Sequence, residues 1–208
     1  MLIISKKLER KKITSGRSSL LKRFGRCERG LALVEFALIL PVLLTLLAGV
    51  IEMTRYIWVN HKILRLSAEV NDLVSQSPGM SANEMNVIFE ASEYVMRPFE
   101  MGADSLIIVS SVSGTGANPP QVNWRQCGAG SLSVAGSVGL AGSDANIPNG
   151  LVLDPLDNII ITEVYYEYKP LIFDSVVEET RLSRVAVHSP RIRSLISILR
   201  DAGQSDGC

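Results

Sequence analysis

The sequence predicts an α+β protein. A single N-terminal transmembrane helix continues into a long amphipathic helix, packed on a small, mostly antiparallel sheet that forms a head outside the membrane. Three observations predict this. Residues 31–51 read LALVEFALILPVLLTLLAGVI, 21 residues with one charge, Glu35. A bilayer hydrocarbon core of roughly 30 Å takes about 20 apolar residues as a helix, so the run can cross it. A helical stripe of apolar residues follows at once, and the later half of the chain holds stretches rich in β-branched and aromatic residues.

The charge distribution orients the span. The chain carries 21 basic and 21 acidic side chains, but residues 1–30 hold ten Lys/Arg against only Glu9 and Glu28, a net +8, which leaves −8 for the rest. Basic residues collect on the cytoplasmic side of a span, so residues 1–30 read as a basic cytoplasmic leader and topology segment. Residues 31–53 are then the transmembrane helix and 54–208 the head. The basic arm is better explained as this topology signal than as a nucleic-acid contact, and no nucleic-acid partner is expected; the partner of the span is membrane lipid. Its length, and the lack of a small-residue cleavage site closing the apolar run, separate the segment from an ordinary secretory signal.

Each element follows in order. Pro41 falls inside the span, where a kink near residues 37–41 is expected because proline removes a helix donor. Glu52, Thr54 and Arg55 mark the outer interface, Tyr56 and Trp58 serve as aromatic anchors, and Glu52 and Arg55, three apart, are placed to pair on the helix surface. Tyr56, Val59, Ile63, Leu66, Val70 and Leu73 continue as an amphipathic stripe. Ser75-Gln76-Ser77-Pro78-Gly79 stops the helix. Ser81-Ala82-Asn83-Glu84 is a capping-box pattern opening a second helix that runs to about Arg97, before Pro98. Leu106–Val112 reads as a strand and Val122–Trp124 as a short one. Residues of about 127–150, rich in glycine, serine and alanine, read as a long loop with the composition of a flexible one. Ile159–Tyr168 is the strongest strand, with Ile160, Thr162, Val164, Tyr166 and Tyr168 on one face, and Arg181–His188 is its expected partner. Arg191–Arg200 carries Ile192, Leu195, Ile196 and Leu199 at helical spacing, which predicts a terminal amphipathic helix.

Little in the chain suggests catalysis. Cys27, Cys127 and Cys208 form no CxxC or Cys/His cluster, and His61 and His188 lie far apart, so no metal is expected. There is no GxSxG and no nucleophile with an arguable base, and the GAGS sequence at residues 128–131 lacks phosphate-loop spacing. The reading is of a non-enzyme without a cofactor.

One residue stands out. Glu35 is an ionisable group inside an apolar span, a position that is costly unless the group has a partner. Its setting is Arg29-Gly30-Leu31-Ala32-Leu33-Val34-Glu35-Phe36, a glycine followed by an apolar helix with glutamate five places on. This resembles the processing site of type IV prepilins. The resemblance implies that a prepilin peptidase cuts between Gly30 and Leu31. It also implies that Glu35 meets the new amine of a neighbouring subunit, since a carboxylate and an ammonium in hydrocarbon each avoid isolation by pairing. Glu28-Arg29-Gly30, Val34-Glu35-Phe36-Ala37, Leu40-Pro41, Gly49, Glu52 and Arg55 together resemble the N-terminal signature of TadE-like proteins, pilin-related components of tight-adherence (Tad/Flp) pilus systems. Tyr165-Tyr166-Glu167-Tyr168-Lys169-Pro170-Leu171 is similar to that family's strand ending in a Tyr-x-Pro-Leu turn, and the segment from Arg184 to Arg191 to its closing strand.

The resemblance implies a minor pilin or pseudopilin with a pilin-like fold. It would sit once through the bacterial inner membrane with its head in the periplasm, working with other pilin subunits and the Tad secretion machinery, and either stay there or enter the pilus. The alternative is a permanently anchored, unprocessed periplasmic binding or adhesin module. Cys127 and Cys208 would then share an oxidising compartment, where they either pair as a disulfide or stay free.

Overall fold

The computed structural model describes residues 28–116, 119–155, 157–172, 178–192, 197–201, 205, 206 and 208. The basic leader up to Cys27 lies outside the described residues. The chain divides into two compact units, Met1–Val50 and Ile51–Cys208. The architecture is α+β, as the sequence predicts.

Helix α1, Glu28–Gln76, runs unbroken through Pro41. Proline there costs the Ala37 carbonyl its helix partner, and one turn later the Thr45 hydroxyl donates to the Pro41 carbonyl at 2.9 Å. In the first unit its apolar side chains are exposed, Leu31 to Leu47 among them. That is the arrangement expected of a helix whose solvent is lipid.

The second unit has its own core. Val59, Ile63, Leu66, Val70 and Val74 of α1 are all buried. The stripe therefore ends on Val74; Leu73, which the spacing also allowed, is half-exposed. The helix stops at Gln76, and Met80–Ser81 forms a short strand, β1. Helix α2, Ala82–Met96, begins at the capping box. The Ser81 hydroxyl accepts from the Glu84 N–H at 3.2 Å, and the Glu84 carboxylate accepts from the Ser81 N–H at 2.7 Å. Two orphan donors are satisfied by four residues of sequence.

A four-stranded antiparallel sheet follows, built from β2 (Ser105–Ser113), β3 (Gln121–Gly128), β4 (Asn158–Tyr168) and β5 (Thr180–His188), in the order β3-β2-β4-β5. Strand β3 is longer than the Val122–Trp124 expected from hydrophobicity. Its outer half, Arg125-Gln126-Cys127, is polar in type yet buried, because both faces of the sheet are covered. One face packs on the helices: Met85, Phe89 and Met96 of α2 and the α1 stripe meet Ile107, Val109, Trp124, Ile160, Val164, Tyr168 and Leu182. The contact is close at Gly128, where an added Cβ would come within 2.1 Å of the Phe89 ring.

The other face is covered by the segment between β3 and β4. Val138, Ala145 and Ile147 pack on Val112, Val122, Ile159 and Ile161, and Leu132 and Val134 on Leu106, Ile108 and Tyr165. The glycine-rich loop is thus a packed layer rather than a free tether. A short 3₁₀ turn, Pro148–Gly150, lies near its end. What composition could not show is its anchoring. Buried Arg125 donates to the Ala135 carbonyl at 2.8 Å and the Gly139 carbonyl at 3.2 Å. Buried Glu163 accepts from the Ser137 N–H at 2.7 Å and from its hydroxyl at 2.6 Å. Gly136, at φ +75°, lets the backbone approach both side chains: a Cβ there would lie 3.0 Å from Glu163 Oε2 and 3.4 Å from Arg125 Nη2.

The expected terminal helix over Arg191–Arg200 is not formed where the chain is described. Ile198–Leu199 is a strand, β6, pairing in parallel with β1, and the Met80 N–H donates to the Ser197 carbonyl at 3.2 Å. Pairing with β1 competes with helix formation, and Ile198 joins the helix-side core. Leu195 and Ile196, also assigned to that helix, lie outside the described residues. The tail returns to β3: the Cys127 N–H donates to the Asp206 carbonyl at 2.7 Å, and a disulfide joins Cys127 to Cys208 with Cα atoms 5.1 Å apart.

Candidate functional site

Two groups of residues concern function, one in each unit. In the first unit, Gly30, Leu31 and Glu35 are all exposed on α1. Among the described residues, a Cβ added at Gly30 would meet nothing within 4 Å, so they make no demand for glycine there. Among the described residues, Glu35 makes no hydrogen bond or ion pair. A carboxylate on an apolar helix is costly without a partner.

In the second unit, Glu52 follows the apolar run by one residue, yet it is buried, with 9% of its surface exposed. Its carboxylate accepts from the Tyr168 hydroxyl at the end of β4, from the Leu171 N–H at 3.0 Å and from the Ile172 N–H at 3.0 Å. Three donors converge on one charge. Burial pushes the Tyr168 phenol up to about 12, and the hydrogen bond to Glu52 and its negative charge push in the same direction.

Neighbouring α1 residues are also engaged. The Tyr56 and Tyr168 rings meet edge to face, with centroids 5.4 Å apart, and Trp58 meets Phe99 the same way at 5.5 Å. The Arg55 guanidinium lies 5.9 Å from the centroid of the Phe99 ring. The four residues read as a membrane-interface set from sequence therefore divide. Glu52 and Tyr56 turn toward the head, Arg55 lies against Phe99 rather than in an ion pair with Glu52, and Trp58 stays about half-exposed. Sequence reasoning missed the role of Tyr168, Leu171 and Ile172. The only signal was the Tyr-x-Pro-Leu turn, which marked the place without naming its partner.

The fold and these sites define a class: a helix long and apolar enough to cross a membrane, near the N-terminus, joined to an α+β head. Residues 30–70 match the family model described as TadE-like protein, so this segment is similar to that family. No curated protein and no solved structure matches the chain. The TadE-like family is one of structural components of Tad pilus systems, and the match points this chain to such a system in general.

Proposed function

We propose that the chain is a minor pilin or pseudopilin, a non-enzymatic structural component in the assembly of a Tad/Flp adhesive pilus. In this reading residues 31–51 hold it in the bacterial inner membrane, with the leader in the cytoplasm and the head in the periplasm. A prepilin-type peptidase removes the leader after Gly30, and Glu35 pairs with the amine of Leu31 on a neighbouring subunit. The observation that carries the reading is the exposed apolar helix whose single charge, Glu35, has no partner among the described residues, within the segment that matches the TadE-like model. Pairing two such charges across subunits removes the cost of leaving either alone in hydrocarbon.

The intact mass of the protein extracted from its native membrane tests this. The pilin reading expects a chain beginning at Leu31. A mass corresponding to all 208 residues would favour the unprocessed, permanently anchored binding or adhesin module instead.

A further inference from the structure

The Glu52 clasp has a side that the head does not use. By binding the N–H groups of Leu171 and Ile172, it fixes a turn in which both side chains remain exposed, 60% and 41% respectively. Glu52 is one residue beyond Ile51, the last residue of the apolar run, and one residue of helix is a rise of about 1.5 Å. The turn is thus held at the level where the apolar run ends. Met53, Ile57 and Trp58, within two turns of α1, are exposed as well. From Met53 to Trp58 the helix rises about 7.5 Å, so exposed apolar side chains of both the helix and the turn follow closely on the end of the apolar run. Of the cations near by in the sequence, Lys169 pairs with Asp104 at 2.7 Å, and Arg55 lies over Phe99.

We infer that Leu171 and Ile172 form a second membrane contact of the chain, a short apolar turn seated in the bilayer interface. The occupant of the turn is lipid, because Glu52, which holds it, directly follows the apolar run, and an exposed aromatic residue of the interfacial type, Trp58, lies within two turns of the helix. Glu52 works as a positioning residue: its charge is satisfied by the head, and its location sets the depth of the turn. The inference rests on residues 31–51 spanning a membrane.

The test uses the full chain in a Cys27→Ser background, reconstituted in phosphatidylcholine vesicles. Single variants Leu171→Cys and Ile172→Cys carry an environment-sensitive fluorophore. Leu38→Cys reports on the span, and Leu140→Cys, exposed on the loop layer, reports on water. Lipids bearing a nitroxide near the headgroup end of the acyl chain should quench the 171 and 172 labels several-fold more than the 140 label, while aqueous iodide should quench them less. If the Leu38 label is quenched by deep nitroxides but the 171 and 172 labels behave like 140, the inference is overturned and the span stands. Labels at 171 and 172 shielded from both quenchers would mean that protein covers the turn, which also overturns it. A Leu38 label that escapes lipid quenching overturns the span and the inference together.

Discussion

The Tyr168 hydroxyl donates to the Glu52 carboxylate across 116 residues of sequence, tying the last residue of β4 to the helix just beyond the apolar run. A hydrogen bond to a charged group is worth about 1.5–3 kcal/mol, more than a neutral one, because the acceptor is costly to leave unmet. Tyr168→Phe should therefore destabilise the head by about 2 kcal/mol, lowering Tm by about 4–8 °C in a chain of this size. Thermal unfolding of the detergent-solubilised protein would measure it. Combining Tyr168→Phe with Glu52→Gln should cost less than the sum of the two, since one removes the bond and the other the charge that strengthens it. Strict additivity would show that the bond contributes nothing.

Alkaline pH should weaken the head through its tyrosines. Burial pushes the phenols of Tyr168 and Tyr165 up to about 12, with hydrogen bonds to Glu52 and Glu163 adding to the effect. An unfolded tyrosine ionises near 10, so between about 10 and 12 the unfolded chain releases protons that the folded chain keeps. The stability that these groups contribute is complete below pH 10 and is lost as pH rises toward 12. Denaturant midpoints should fall over that window, and Tyr168→Phe should flatten the fall.

The Cys127–Cys208 disulfide closes a sequence separation of 81 residues. On the chain-entropy account a loop of that size stabilises by about 4 kcal/mol. Cys208→Ser, or reduction of the parent protein, should lower the unfolding free energy by about that amount. Alkylation without reductant should label neither thiol in protein from an oxidising periplasm. Full labelling of both would show the bridge to be absent there.

Arg125 should control the loop layer. Arg125→Met leaves the Ala135 and Gly139 carbonyls without their donor. Leaving a buried acceptor unmet costs about 1–3 kcal/mol. Amide exchange at Ser137 and Asn146 should speed up well before the sheet amides do. Equal acceleration everywhere would argue that the loop and sheet open as one unit.

At the processing site, replacing Gly30 with a bulky residue should leave the leader attached, visible as an intact mass, while membrane insertion is unchanged. Glu35→Gln keeps the shape and removes the charge. It should insert normally and be depleted from sheared pili or assembly complexes relative to the parent. Normal recovery of the Glu35 variant would count against the cross-subunit pair.

The sequence by itself determined the elements whose cause is local. A 21-residue apolar run with one charge makes a span-length helix wherever it sits. Ser81 and Glu84 cap α2 within four residues, and the β-branched and aromatic residues of Ile159–Tyr168 make a strand. The TadE-like signature is local too, which is why it was legible around Gly30 and Glu35.

Only the tertiary structure decided what depended on partners far along the chain. Glu52 and Arg55 look like a surface pair from their spacing, but Tyr168 and the Leu171–Ile172 backbone offer Glu52 three donors that no local rule foresees. Residues of about 127–150 look like a free loop from their glycines, but Arg125 and Glu163, buried on β3 and β4, hold carbonyls and an amide within them. Leu199 fits a helical period with Ile192, yet β1 supplies a backbone edge to Ile198–Leu199 and the core an apolar wall to Ile198. In each case a buried charge or an open strand edge had to be satisfied by whatever the fold brought near. Proximity in the fold is a property of topology, not of sequence spacing.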